Sequence, residues 1–561
     1  MAFLNTTKTA RTKRNKKELT EVLEPTAQPV VADVDPDKGE HLNYMGGRSY
    51  SIDDTFLILQ TTAASCFFGE PQYYQSEGMK TPRFRDTGYG KKILDRDYVN
   101  NIPPKWQDKT PAERMVLAID AALNVDVERT LRLAVSLRTE HKIRTTPQVI
   151  MVRAGLHPNQ KGTGLVTKYA KGIIQRIDEV TVQYAYFLSL GLGHTPPKCL
   201  KRNWARAIER ASTYQLSKYR MESREVSLVD VINITHPKGE DISKLVRGEL
   251  KLNESSRRTW ESIRSSGGSW KEAKGVMGHM AMLRNLRNLS IAGEIDEDFL
   301  KKFKASAEKG KQLPFRYLSA YNALKTAGGA DTRTLDAIET CLENSMQFLP
   351  RLEGRVMSLV DNSGSAQSTT TSSIGTMTVA SIGNLMGIIT GKASDDGHLG
   401  VFGDRYEHFP VRKRSSVFDL SDKANQVGRG IGMGTEHGVW LFWKEAIEQR
   451  QQWDMVFIYS DMQAGHGGLY GTTSKYRVEG TNHTWNGSNY YASKYIDVAK
   501  LVETYRKNVN PKVHVVLCQI AGYQDTLIPD AYDRTYVLGG WSEQIIKYAA
   551  AMRALRDGNA Q

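Results

Sequence analysis

The chain has 561 residues, of which 40% are hydrophobic and 25% charged, a composition that holds two or more domains with cores of their own and excludes a wholly disordered or fibrous protein. Its net charge of +14 is unevenly placed: residues 351–561 carry 22 Lys+Arg against 21 Asp+Glu, which leaves 54 against 41 in residues 1–350. Residues 1–45 hold seven of each sign, so the excess belongs to 46–350 and predicts a polyanionic partner for that part.

Cys66, Cys199, Cys341 and Cys518 lie more than a hundred residues apart and form no CxxC pair, which argues against a disulfide framework or a Cys-rich zinc site. No apolar run approaches the roughly 20 residues that a membrane helix needs. The N-terminal MAFLNTTKTARTKRNKK has basic residues but no apolar core, unlike a secretory signal. A soluble, cytoplasmic protein without a membrane partner is expected.

In chain order, residues 1–45 read as a tail, a basic cluster followed by an acidic, Pro-containing stretch. From about 51 to 350 the periodicity is helical. Residues 113–138 repeat apolar side chains at three- and four-residue intervals, 166–193 read as helices closed by glycines, and 198–220 are helical again. In 225–235, Ser227 is the expected N-cap, with Asp230 three residues on and Pro237 ending the run. Many amphipathic helices with short breaks fit an α-solenoid or a ring of helix pairs. At about 351 the pattern changes. Residues 355–360, 399–404, 405–411, 455–460, 513–523 and 536–540 read as strands. Helices are expected at about 376–391, 436–450 and 542–556, with a Gly-rich loop at 428–434. Apolar strands alternating with helices predict a mainly parallel, doubly wound sheet.

Asp361-Asn-Ser363-Gly-Ser365 directly follows the strand at 355–360, at the carboxyl edge where open α/β sheets gather ligands. Asp361, Ser363 and Ser365 there, with Thr435 on a second loop and Asp461 after the strand at 455–460, supply the oxygen donors that a hard cation such as Mg²⁺ takes. The pattern matches the metal-ion-dependent adhesion site (MIDAS) of a von Willebrand factor A domain. The competing reading makes Asp361 and the serines helix caps or turn residues. GRGIGMG (428–434) fails GxGxxG in either register and lacks a Walker GK[ST], so it is expected only to present Thr435. His437 and His466 are read as surface residues.

In the basic part, Arg202, Arg206 and Arg210 fall on one helical stripe opposite Trp204, Ala207, Ile208 and Ala211, and Arg220 rejoins it if the helix continues. Lys218, Arg224, His236 and Lys238 come next over a short span. Such residues serve a duplex or stem-loop RNA mainly as phosphate contacts. The alternative is a solvated helix face.

Residues 46–74, LKRNWARAIERASTYQLSKYR (200–220), EVSLVDVINITHPK (225–238), SLVDNSGS (358–365) and YSDMQAGHGGLYG (459–471), with RTTPQVIMV (144–152), resemble the Ro ribonucleoprotein family in its bacterial branch. The resemblance runs from about 46 to the C-terminus. It implies a ring of HEAT-like helical repeats (the TROVE module, 46–350) closed by a doubly wound von Willebrand factor A domain (351–561), after a flexible tail (1–45). It further implies an RNA-binding scaffold rather than an enzyme. Such a protein holds small noncoding Y RNA and the ends of misfolded RNA, in RNA quality control or decay with the exoribonuclease polynucleotide phosphorylase. Lys218, Arg220, Arg224 and His236 correspond to its Y RNA contacts, and Asp361, Ser363, Ser365, Thr435 and Asp461 to its metal site. The chain departs from animal members after Asp461, where Met462-Gln463 replaces a more acidic pair. Two rival functions remain open: a metal-dependent RNA hydrolase built on Asp361 and Asp461, and a protein-binding module whose partner completes the Mg²⁺ shell.

Overall fold

The computed structural model describes residues 40–42, 48–52, 54–65, 70, 73, 111–219, 226–250, 259–310, 312–328, 331–368, 377–432, 438–460, 462, 481–485, 488–492, 498–520, 525–526 and 533–558. They fall in two compact units, an α/β unit drawn from residues before 70 and after 348, and a helical unit from 70–81 and 110–348. The chain opens in the α/β unit with strands β1 (Glu40–Leu42) and β2 (Arg48–Ser51) and helix α1 (Thr55–Ser65). The expected start of the helical module at 46 is thus displaced. Tyr50 and Ile52 lie in the hydrophobic core of the α/β unit, with Leu57 and Ile58 packed against it. Helical periodicity marks α1 as a helix but carries no information about which unit buries it.

The helical unit continues with α2 (Pro111–Val125), α3 (Val127–Thr139), α4 (Thr146–Leu156), α5 (Leu165–Ile173), α6 (Asp178–Ser189), α7 (Lys198–Glu209), α8 (Thr213–Lys218), α9 (Leu228–Thr235) and α10 (Glu240–Val246). Next come α11 (Trp260–Ser265), α12 (Trp270–Val276), α13 (His279–Ile291), α14 (Glu297–Gly310), α15 (Pro314–Thr326) and α16 (Thr332–Met346). The periodic segment 113–138 is two helices. Asp126 takes an extended backbone and accepts the Arg129 N–H at 3.0 Å, so it caps α3 and interrupts the run. The segment 198–220 also breaks, because Ser212 and Gln215 form a capping box that starts α8 afresh. The arginine stripe therefore does not extend along one helix to Arg220, which lies outside the described residues. At α9 the expected capping box of Ser227 and Asp230 is present.

After residue 348 come β3 (Leu352–Asp361), α17 (Gly364–Ser368), α18 (Val379–Ala393), β4 (Ser394–Phe402), β5 (Tyr406–Val411), α19 (Val417–Gly430), α20 (Gly438–Glu448) and β6 (Met455–Ser460). The hairpin strands β7 (Thr481–Trp485) and β8 (Ser488–Ala492), α21 (Val498–Asn508), β9 (His514–Gln519), β10 (Asp525–Thr526), β11 (Thr535–Gly539) and α22 (Gln544–Arg556) complete the chain. The sheet order is β11-β9-β6-β3-β4-β5, parallel except for β5, which runs antiparallel to β4. This is the doubly wound, mainly parallel sheet that the sequence predicts. Every residue of β6 and β9 is buried, as helices on both faces require. β10 instead pairs with β2, which ties the N-terminal strand to this unit. The Gly-rich stretch begins as helix, not loop: Gly428–Gly430 form the last turn of α19, and Ile431 is its C-cap.

Candidate nucleic-acid interface and metal site

α7 buries Leu200, Asn203, Trp204, Ala207 and Ile208. The fully buried Trp204 donates its Nε1–H to Gln183, whose Nε2 donates to Gln148 Oε1 at 2.7 Å. Gln148 in turn donates to the Ile173 carbonyl at 3.1 Å, and Asn203 donates to Thr167 Oγ1 at 3.1 Å. These bonds pin one face of α7 to α4, α5 and α6. The opposite face is thereby committed to solvent. It carries Lys198, Arg202, Arg206 and, at the C-cap, Arg210, spaced four residues apart and all exposed. Among the described residues none of these four has an ion-pair partner. Like charges at this spacing destabilise a helix by about 0.2–0.5 kcal/mol per pair. Keeping four of them on one face therefore costs the helix stability that an external anion would return.

The surroundings reinforce this. The helical unit holds 39 Lys+Arg against 28 Asp+Glu, and the α/β unit 37 against 34. Within the helical unit the imbalance is concentrated in residues 141–220, with 14 Lys+Arg and three Asp+Glu. Two of those acids are buried and engaged: Arg176 meets Asp178 at 2.8 Å, and Arg138 meets Glu179 at 2.7 Å. Burial raises the Glu179 pKa, against the pull of Arg138. The third acid, Glu209, accepts the backbone N–H of Lys238 at 2.9 Å. That bond joins the end of α7 to the turn after α9, which carries His236 and Lys238, both exposed. Thr213 at the start of α8 donates to Asp241 of α10.

Lys218 ends α8, exposed, with its ammonium 5.5 Å from the Tyr214 ring centre and 5.9 Å from that of Tyr219. The Tyr214 hydroxyl beside it raises its pKa and so favours the charged form. Arg176 lies over the other ring at 5.2 Å and donates to the Tyr219 hydroxyl at 3.0 Å. His236 is the C-cap of α9 in the left-handed region, φ 50° and ψ 52°, a place usually taken by glycine. Arg220 and Arg224 lie outside the described residues. Sequence reasoning misses Lys198, which extends the stripe by one turn, and Glu209, whose role depends on a contact 29 residues away.

At the carboxyl edge of the α/β sheet, Asp361 ends β3 and Ser460 ends the adjacent β6, where the winding reverses. Asp361 is fully buried, with Oδ1 accepting the Ser363 N–H at 2.9 Å and Oδ2 accepting the Ser460 hydroxyl at 2.8 Å. Ser460 Oγ also accepts the Met462 N–H at 3.0 Å, and Met462 takes a left-handed φ of 64°. Ser460 carries no signal of its own in the sequence, where the neighbouring Asp461 is the more conspicuous oxygen donor. Among the described residues no group of three or more His, Cys, Asp or Glu is placed to hold a metal ion. Of the five expected positions, Thr435, Asp461 and the Ser365 side chain lie outside the described residues. The donor oxygen that is placed beside the Asp361 carboxylate is the Ser460 hydroxyl, and Ser363 adds a second hydroxyl two residues on in the chain; all are hard oxygens, the donor chemistry that a Mg²⁺-like ion takes. None of the described helices is long and apolar enough to cross a membrane.

A helical-repeat unit joined to a von Willebrand factor A-like α/β unit defines the fold class. Among solved structures, the chain is similar to the crystal structure of the Deinococcus radiodurans Ro (RSR) protein, with a TM-score of 0.53 and 14% identity, covering 79% of this chain and 93% of that one. At that identity the likeness is one of fold. No family model and no curated protein matches the sequence.

Proposed function

We propose that this chain belongs to the Ro family and acts as an RNA-binding scaffold, holding a structured noncoding RNA of the Y type on the helical unit. The observation that carries the reading is the unpaired row Lys198, Arg202, Arg206 and Arg210 on α7, within the basic stretch 141–220. Cations on a rigid helix neutralise phosphates without reading bases, which suits a partner recognised by shape. His236 and Lys238 adjoin the end of that row through the Glu209–Lys238 bond, and Lys218 adds an exposed cation on α8. The shared fold with the Ro (RSR) protein supports the family assignment. On this reading the protein is cytoplasmic and works by holding RNA, and cleavage in RNA quality control or decay falls to an exoribonuclease such as polynucleotide phosphorylase, tethered through the RNA. Asp361, Ser363, Ser365, Thr435 and Asp461 hold a divalent ion, Mg²⁺ by its oxygen donors, for partner binding rather than catalysis.

The test is RNA binding by the full chain against a stem-loop RNA over a range of salt. Replacing Arg202, Arg206 and Arg210 together by Ala should weaken binding and make the log–log salt slope shallower by about 2–3, since each phosphate contact contributes roughly 0.7–0.9. An unchanged affinity and slope overturns the assignment. RNA cleavage in Mg²⁺ that disappears in Asp361→Ala favours a hydrolase instead. Co-purification of an exoribonuclease that survives ribonuclease treatment removes the tethering role of the RNA.

A further inference from the structure

The residue between the two expected metal ligands, Asn362, is buried and belongs to a closed network of side-chain amides. Asn362 and Asn384 bond each other in both directions, Nδ2 to Oδ1 at 2.9 Å and at 3.0 Å. The second N–H of Asn384 goes to Asn425 Oδ1 at 3.0 Å, and that of Asn362 goes to the Val360 carbonyl at 3.2 Å. Both N–H donors of each inner amide are therefore used. The network crosses three elements, from the loop after β3 through α18 to α19. Gln367 ties the same places again, donating to the Asn362 carbonyl at 2.6 Å and to the Gly428 carbonyl. Gly428 lies so close that a Cβ there would sit 2.2 Å from Asn362 Oδ1.

We propose that the ladder Asn362–Asn384–Asn425 is a positioning device that couples divalent-ion binding at Asp361 and Ser363 to the anchoring of α19. This rests on the metal reading above. Asn362 stands between Asp361 and Ser363 in the chain, so a rotation of that loop on metal binding moves the first rung. Each rung has fixed donors and acceptors, and a shift at Asn362 that is not matched by Asn384 and Asn425 leaves buried amide groups unpaired. The ion and α19 therefore bias one arrangement. By reciprocity, whatever holds α19 in place tightens the ion. Groups that orient metal ligands typically change affinity by about 10–100-fold when removed.

The full chain is titrated with Mg²⁺ by calorimetry, and hydrogen exchange of residues 417–430 is compared with and without Mg²⁺. Wild-type protein should bind Mg²⁺, lose that binding in Asp361→Ala, and show slower exchange in 417–430 when loaded. Asn384→Leu removes the central rung, and the half-buried Asn425→Ala removes the outer one at less risk to folding. Each should bind Mg²⁺ about tenfold or more weakly and lose the Mg²⁺-dependent protection of α19. A merely structural role leaves that Mg²⁺-dependent difference intact while raising exchange in both states. Wild-type affinity and protection in Asn425→Ala, with binding abolished in Asp361→Ala, overturn the coupling alone. Absence of Mg²⁺ binding by the wild-type chain overturns both the coupling and the metal reading.

Discussion

The Glu209 carboxylate accepts the Lys238 backbone N–H at 2.9 Å, so the single acidic residue at the end of the arginine face also fixes the turn that carries His236. The two roles separate by substitution. Glu209→Gln keeps an oxygen acceptor and removes the negative charge beside Arg206 and Arg210. It should leave the melting temperature nearly unchanged and strengthen RNA binding at low salt. Glu209→Ala removes the acceptor as well, costing roughly 1 kcal/mol, and should loosen the 236–239 turn. Thermal unfolding and RNA titration of both variants decide the matter. Weaker RNA binding in the Gln variant contradicts the electrostatic role.

His236 occupies a left-handed C-cap that a non-glycine residue holds at a cost of about 1–2 kcal/mol. A helix end under selection for stability alone would place glycine there. His236→Gly should raise stability by several tenths to about 1 kcal/mol, after glycine's larger unfolded-state entropy is subtracted. The same change should weaken RNA binding. Stability and affinity moving in opposite directions mark the imidazole as functional. A gain in stability with unchanged affinity assigns His236 no part in the interface.

The strands at 455–460 and 536–540 are readable in the sequence because a parallel sheet buried on both faces demands unbroken apolar runs. The cap at Ser227 is readable because its partner is three residues away. Features that depend on longer range are not. Trp204 reads simply as apolar, while its indole bond to Gln183 and the Gln183–Gln148 pairing arise only when three helices meet. α19 escapes the reading because its glycine-rich end resembles a loop, although it buries Val417, Phe418, Leu420 and Ala424 at helical spacing; the bonds of Asn425 and Gln367 that tie it to the rest of the unit depend on residues far away in sequence. Asp361 and Ser363 are legible as a motif. The contribution of Ser460 is not, because it arises from β6 pairing with β3. The Asn486-Gly487 dipeptide between β7 and β8 is a local hairpin signal that the strand pattern of this domain does not anticipate.

Several histidines are buried in the neutral form, which makes the fold sensitive to acid. His514 lies between the Tyr536 hydroxyl at 2.9 Å and the Asp557 carboxylate at 3.2 Å. Burial lowers its pKa, more than Asp557 raises it. Burial likewise lowers His279 and His398. Well above about pH 6.5 the imidazoles are neutral whether the chain is folded or unfolded, so the pH costs nothing. Below that value the unfolded chain takes up protons that the folded protein refuses, and stability falls until the lower folded values are reached. Denaturant melts at pH 7.5, 6.5 and 5.5 should show a small decline over the first interval and a steeper one over the second. His514→Asn should lower stability at pH 7.5, through the lost ring packing, yet show a shallower decline below pH 6.5. An equal slope in the two proteins removes His514 from the account.

The N-terminal segment belongs to the far end of the chain. Tyr50 and Ile52 are 7% and 4% exposed within the core that contains Trp440, Trp443 and Trp453. β2 pairs with β10, and α1 lies on β11. The approach of α1 is so close that a Cβ on Gly539 would sit 2.5 Å from the Thr61 carbonyl oxygen. That oxygen is backbone, so it cannot rotate away, and relief requires moving the helix. Gly539→Ala should therefore destabilise the α/β unit by about 1–3 kcal/mol, the usual cost of overpacking. It should also raise hydrogen exchange in 55–65 and 535–539 while leaving 111–219 protected. Deleting residues 1–65 should do more, uncovering β11 and removing Tyr50 and Ile52 from the core. A fragment beginning at 351 should accordingly be less stable than the same unit in the full chain, and supplying residues 40–65 in trans should recover part of the loss. Equal stability of the fragment with and without that peptide contradicts the packing described for β2 and α1.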